Sequence, residues 1–418
     1  MTGNKWAKQL HLMYTRAVTK TRVAVFILTL LVVGAFGLFA SLYARGYRFD
    51  TKNFKFSPNG LLVAETDPSG AQIFINGELK NATDTTISLS PGTYDVEFKK
   101  EGYISWSKRL EIQKEIVTEA IAHLFKSIPS LTPVSFAGSI TPVASADFGR
   151  IAYAVPVANG NGNGGLWVID TVNLPLGFAR EPRQVTDGDL TNATWIFSPD
   201  GRQIMLTTQT GVFVLDAGTF TPQRERVNIA SQKEDLLAEW EEKNDLKLAA
   251  QLKSVHPEIA DILIRKAKLL TFSPDETKIL YQANSDATIP SGVVKELPGA
   301  STQRQERDIK EGRVYVYDIK EDRNFLISEE ETQIGSWNLE TGTSVSRLAW
   351  FSTSSHLVLA EEGKVTIMDY DGTNRQVVYS GAYIVPYAFP ILSSDRILIL
   401  TNLGAIDTLP NLYAVTIK

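Results

Sequence analysis

The chain has 418 residues, of which 43% are hydrophobic and 21% charged, with a formal net charge of −5 and no cysteine. That length implies two or three folded units with enough apolar material for real cores. The charge leaves no basic surplus to neutralise phosphates, which argues against a nucleic-acid partner. The missing cysteines exclude disulfides, zinc–thiolate sites, thiol catalysis and a lipoprotein cysteine.

The first element is apolar. Val23 to Ala44 carry no charge, and the run VAVFILTLLVVGAFGLFASL is twenty residues long. At ~1.5 Å per residue it spans about 30 Å, the thickness of a bilayer's hydrocarbon core. A cleaved signal peptide is the rival reading, but Leu38-Phe39-Ala40 and Leu42-Tyr43-Ala44 are poor small-x-small cleavage sites. Residues 23–44 are therefore expected to form a transmembrane helix, with the lipid bilayer as first partner. Lys5, Lys8, Arg16, Lys20 and Arg22 precede it without any acid, and Arg45, Arg48 and Lys52 follow with Asp50 among them. This bias predicts residues 1–22 as a cytoplasmic basic tail and the remainder as extracytoplasmic. Trp6, Leu10, Met13 and Ala17 share one helical face, which fits a helix on the inner leaflet; a frayed basic tail fits equally.

From residue 60 the period changes to two. Leu61–Ala64, Ala71–Ile75, Thr86–Leu89 and Thr93–Phe98 read as strands, with Asn76-Gly77 as a hairpin turn. The ordered motifs Asp67-Pro68-Ser69-Gly70-Ala71, Ile75-Asn76-Gly77, Leu89-Ser90-Pro91-Gly92-Thr93-Tyr94 and Glu101-Gly102-Tyr103 resemble the PEGA domain. The resemblance implies a small β-sandwich over 60–125, a spacer or adhesive unit of surface proteins and not a catalyst. One segment departs from the family: Gly-x-Thr-Pro before the third strand reads Ala82-Thr83-Asp84-Thr85-Thr86.

After a Pro- and Ser-containing stretch from Ser127 to Pro142, a β unit recurs. It opens with a turn such as Phe197-Ser198-Pro199-Asp200-Gly201, continues with a strand (Ile204-Met205-Leu206), and ends with one closing in Asp (Val212–Asp216). Phe272–Glu276 and Trp350–Ser352 open further copies; Ser145–Asp147 and Ser393–Asp395 open weaker ones. Five units of roughly 40–45 residues predict propeller blades over 135–418. The turns resemble those of TolB-like and WD40-like propellers; a two-sheet sandwich of the same strands is the alternative. The fold class is thus mostly β: a single N-terminal transmembrane helix, a small PEGA β-sandwich, then a β-propeller of about five blades with a helical insertion.

That insertion covers 232–268. Leu237, Trp240, Leu248, Leu252 and Val255 fall at helical spacing, and His256-Pro257-Glu258 starts a second helix. It reads as a partner-docking arm or lid, or as a stripe packed on the propeller flank. On the first reading Trp240, Leu237 and Leu248 are the candidate partner contacts, with Trp240 as the exposed anchor. Residues 284–312 form a long polar loop of the kind that is either functional or disordered.

Motifs for chemistry are weak. His11, His123, His256 and His356 lie in separate segments without metal-ligand spacing. No Gly-x-Ser-x-Gly elbow occurs. Ser105-Trp106-Ser107-Lys108 matches Ser-x-x-Lys but falls in a strand, where it has no catalytic context. The glycine-rich run 159–165 lacks the Lys-Ser/Thr of a phosphate loop and reads as a hairpin loop. Asp369-Tyr370-Asp371-Gly372-Thr373-Asn374 alternates oxygen ligands as calcium loops do but lacks the distant Glu, and reads as a tight turn. No cofactor and no catalytic residue is expected. The composite resembles a recurring bacterial architecture, a membrane-anchored PEGA protein with a propeller. It implies a non-enzymatic scaffold or binding protein that presents its propeller to an envelope protein or a surface polysaccharide. A propeller-type glycan-acting enzyme and a ligand-sensing ectodomain are the alternatives.

Overall fold

The computed structural model describes the chain except residues 1–3, 45–46, 51–54, 158–163, 173–180, 296, 298–300, 335–346 and 406. The glycine-rich run at 159–163 lies outside the described residues. Helix α1 runs unbroken over Asn4–Ala44, and its segment Lys20–Ala44 is long and apolar enough to cross a membrane. None of that segment is buried against the rest of the protein, and Phe26, Leu30, Leu31 and Phe36 are all exposed along it.

Two sheets then form a sandwich. In one, Gly60–Asp67 pairs antiparallel with Thr85–Leu89 and parallel with Val117–His123. In the other, the order is Glu78–Ala82, Gln72–Ile75, Gly92–Lys99, Trp106–Ile112. Alternation sends Leu62, Ala64, Ile73, Ile75, Val96, Phe98, Leu110 and Ile112 into one shared core. Asn76 and Gly77 take φ of 50° and 80°, the positive values a two-residue hairpin turn needs. The divergent segment before the third strand is also held. Thr83 is buried, its hydroxyl 2.6 Å from that of Thr66 and accepting the Ala71 amide, while Asp84 accepts the Thr66 amide.

Among the described residues five larger sheets follow, one for each repeat, beside a two-stranded pairing of Ala287–Thr288 with Asp308–Ile309. Blade 1 comprises Ile140–Ala144, Arg150–Val155, Gly165–Asp170 and Arg183–Asp187. Blade 2 has three strands, Thr194–Phe197, Gln203–Thr208 and Gly211–Asp216. Blade 3 is Ala267–Phe272, Lys278–Ala283, Val314–Asp318 and Arg323–Ser328. Blade 4 is Leu348–Trp350, His356–Glu361, Lys364–Asp369 and Gln376–Ser380. Blade 5 takes Ala388–Pro390, Arg396–Thr401 and Asn411–Thr416 from the C-terminus and completes itself with Ser130–Pro133, so the two ends of the region meet in one sheet.

The repeat recurs because its turn closes on itself. In blade 2 the Ser198 hydroxyl donates to Asp200 at 2.6 Å and accepts the Gln203 amide, and Asp200 accepts the Arg202 amide. Ser273 and Asp275 repeat these bonds in blade 3, and Ser145 and Asp147 in blade 1. Serine and aspartate are the working parts, so the copy lacking Pro and Gly still forms the turn.

Blade strands are apolar on both faces because both are covered. Ile151, Tyr153 and Val155 face blade 5, whereas Ala152 and Ala154 face blade 2. Blades 3 and 4 share a core through Leu280, Val316, Phe325, Leu348 and Leu357, and blades 4 and 5 through Val358, Ile367, Ile397 and Val415. Between blades 2 and 3 the insertion supplies the contact. Helix α2 (Lys233–Leu252) lays Trp240 on Met205 and Val212 of blade 2. Leu252 and Val255, with Ile259 and Leu263 of α3 (Pro257–Lys266), cover Ile279, Tyr281 and Tyr315 of blade 3. Trp240 is 1% exposed, which corrects the expectation of an exposed anchor: its indole fills the uncovered face of a three-stranded blade. Leu237 and Leu248 are half-buried, packed beside the same two clusters.

Candidate functional site: a central cavity and the stalk junction

Strands in a blade alternate in direction, so the first and third turns of every blade lie on one face of the ring. On that face the first turns of blades 1, 3, 4 and 5 surround a cavity of about 590 Å³, with α2 closing the remaining side. Phe148, Phe272, Trp350 and Ile391 form apolar walls. Asp147, Glu241, Asp245 and Glu276 contribute carboxylates against one amine, that of Lys247. The Trp350 indole is held by its N–H bond to the Thr271 carbonyl at 3.0 Å. Of the sequence-level partner candidates only Leu248 lines this cavity.

The same face carries the sandwich module. Strand Trp106–Ile112 lies against the third turn of blade 4, which is the calcium-like segment. The Trp106 indole N–H donates to Asp369 Oδ2 at 3.2 Å, the Ser107 amide to Asn374 Oδ1 at 3.1 Å, and Gln376 Nε2 to the Ser105 carbonyl at 3.3 Å. Lys108 Nζ reaches Asp371 Oδ2 at 2.6 Å and Asp369 Oδ2 at 3.7 Å. Asp371 is fully buried at its carboxylate and Lys108 nearly so. Burial alone would lower the Lys108 amine; Asp371 and Asp369 outweigh it, and its pKa is raised. The lysine of the apparent Ser-x-x-Lys motif and the aspartates of the apparent calcium turn are thus each other's partners. Among the described residues no group of three or more His, Asp or Glu is arranged to hold a metal.

Two histidines, distant in sequence, meet here. His123 and His356 contact edge-on with ring centroids 5.4 Å apart, and Phe125 stands edge-on to His356 at 5.3 Å. His356 Nε2 lies 3.4 Å from Asp369 Oδ1, and Nδ1 is 2.8 Å from the Thr353 hydroxyl. Burial pushes His356 down to about 3, helped by His123 and Lys108. His123 is lowered by burial, with Asp67 opposing and Lys418 assisting. Burial raises the Asp369 carboxyl against the pull of Lys108. No spacing in the sequence signals this cluster, because its members come from strands whose neighbourhood only the docked modules create.

The long polar loop completes the junction. Thr302 and Gln303 both donate to the Arg109 carbonyl, and the Ser301 amide donates to Glu321. At the outer rim the Lys126 amide donates to the Ile417 carbonyl at 2.7 Å, and Lys418 pairs with Asp67. A cleft of about 410 Å³ remains between the modules, lined by Lys108, Val117, Ile121, Leu297, Glu321, His356 and Tyr370 among others.

Residues 59–128 match the PEGA domain model. No curated protein matches the chain. Among solved structures, a putative TolB from Agrobacterium tumefaciens is 12% identical, covering 66% of this chain and 78% of its own, with a TM-score of 0.22. The β-propeller domain of the trilobed protease from Pyrococcus furiosus is 11% identical, covering 86% and 96%, with a TM-score of 0.21. An oligogalacturonate lyase in complex with manganese is 11% identical, covering 81% and 82%, with a TM-score of 0.22. The propeller assignment rests on the sheets themselves: the chain carries a PEGA domain at 59–128 joined to a β-propeller of which the described residues form five blades.

Proposed function

We propose that this is a membrane-anchored, extracytoplasmic binding protein. Residues 23–44 hold it in the bilayer with the N-terminus inside, the PEGA module serves as its stalk, and the propeller receives a segment of an envelope protein in its central cavity. The observation that carries this reading is the cavity itself: aromatic and aliphatic walls with a carboxylate-rich rim, supplied by four blades and α2, suit an amphipathic segment bearing basic residues. The rigid, hydrogen-bonded junction supports it, because a binding surface is useful at a distance from the membrane only if its carrier is ordered.

The test is capture from envelope extract with the full detergent-solubilised chain and a Leu392→Trp variant. Leu392 lines the cavity and is 39% exposed, so the larger ring narrows the mouth without disturbing a core. A protein held by the parent and lost from the variant supports the reading. Equal capture by both removes the cavity from it. Retention of a polysaccharide that shortens with time replaces binding by glycan chemistry. Orientation is tested separately by labelling Thr2→Cys and Thr408→Cys with a membrane-impermeant maleimide on intact cells. Only Thr408→Cys is expected to react; the reverse pattern inverts the topology.

A further inference from the structure

We propose that His123, His356 and Asp369 form a proton-operated latch between the stalk module and the propeller. The latch is closed at neutral pH and released by acid. This inference goes beyond the binding role and does not depend on what the cavity holds.

The geometry allows the closed cluster few protons. His356 sits between Asp369 Oδ1 on one ring nitrogen and the Thr353 hydroxyl on the other, sealed by the Phe125 ring. His123 stands against it edge-on, so a charge on both rings would place two cations within about one ring's width of each other. Asp369 is already shared, receiving the Trp106 and Asn374 N–H groups and facing Lys108. From the stalk side the charged neighbours are Lys108 on its strand and Asp67 beside His123, with Lys418 from blade 5 on Asp67. From the propeller side they are Asp371 on blade 4, and Glu321, Asp318 and Lys278 on blade 3 around the Tyr370 ring. Burial raises Glu321 and Asp318, but blade 3's own contacts hold both of them: Asp318 accepts the Lys320 and Glu321 amides, and Glu321 accepts the Ser301 amide. Asp318 keeps these bonds whether the stalk is docked or not, whereas Glu321 also faces Lys108 across the junction. Lys108 stays charged throughout.

The sign follows from counting. Both imidazoles are depressed in the docked state, so each resists a proton that it accepts once water reaches it. Asp369 works the other way, because burial makes it bind a proton more tightly when docked. Between the ordinary carboxylate and histidine ranges two groups therefore favour proton uptake on opening and one opposes it, so the opening constant rises as the pH falls in that window.

The absence of cysteine makes the test direct. Leu79 and Val227 are exposed, on the stalk module and the propeller respectively, and carry a label pair as Leu79→Cys/Val227→Cys in the full chain in nanodiscs. A second pair, Val227→Cys/Leu403→Cys, reports on the propeller alone. Inter-label distance distributions are measured from about pH 8 to about pH 4.5. The stalk–propeller distance is expected to broaden as the pH falls through that window while the propeller pair stays constant. His123→Gln is expected to keep the neutral-pH distance and flatten the slope, and His356→Gln to do the same. A stalk distance unchanged to the lowest pH overturns the latch. So does an unaltered slope in both histidine variants, and so does parallel broadening of the propeller pair, which would mean general unfolding.

Discussion

At the residue scale the polar contacts divide by burial. Lys108 is the clearest case, because removing it leaves two aspartates inside the junction without a cation. Lys108→Met is expected to destabilise the protein by about 3–5 kcal/mol, read by denaturant unfolding with Trp106 fluorescence. Adding Asp371→Asn to that variant should recover part of the loss. Asp170 is the second case. Arg183 hydrogen-bonds its carboxylate, with Arg150 alongside, and holds its pKa below the ordinary value despite burial. A depressed carboxylate contributes stability above its ordinary pKa and loses it as the pH falls through the depressed one. Asp170→Asn is therefore expected to cost about 1–2 kcal/mol at neutral pH and to show a shallower acid decline. Melting temperatures of both proteins between neutral pH and about pH 3 check this.

At the scale of elements, the insertion shows what a sequence can carry. The spacing of Leu237, Trp240, Leu248, Leu252 and Val255 gave the helix and its buried stripe, because a 3.6-residue period is local. What the stripe faces is not local. Blade 2 has three regular strands with Asn228 bridging Phe213 at its outer edge, and the Met205–Val212 face that Trp240 covers appears only once the sheets are assembled. Trp240→Ala is expected to cost about 3–5 kcal/mol and to raise hydrogen exchange over 233–252 before other segments. An exchange pattern unchanged in α2 would mean that the helix is held by its blade 3 contacts alone. The repeated turns were legible for the opposite reason: Ser and Asp two positions apart make all the bonds within one turn. Ser130–Pro133 was not, since four exposed residues without alternation become a strand only by pairing with Asn411–Thr416. The histidine cluster was illegible likewise, as no short-range signal links His123 to His356.

For the whole molecule the stalk and cavity share a face, and the ring depends on its last residues. Leu412, Ala414, Val415 and Ile417 are shared between the cores joining blade 5 to blades 1 and 4. Deleting residues 411–418 is expected to abolish a single cooperative melt and expose apolar surface to a hydrophobic dye, although the PEGA module keeps its own core. A variant that still melts as one unit would show that four blades and the insertion suffice.

The pairing of Ser130 with Thr416 also sets an order in time. During synthesis the sandwich can form as soon as residue 125 or so has emerged, since its sheets use nothing downstream. The propeller cannot, because its closing sheet needs the strand made first and the strand made last. For almost the whole of its synthesis the chain would hold a finished sandwich and an open string of blades with both outer faces unpaired. The architecture therefore shifts the burden of avoiding aggregation from the native state to the interval before the C-terminus arrives.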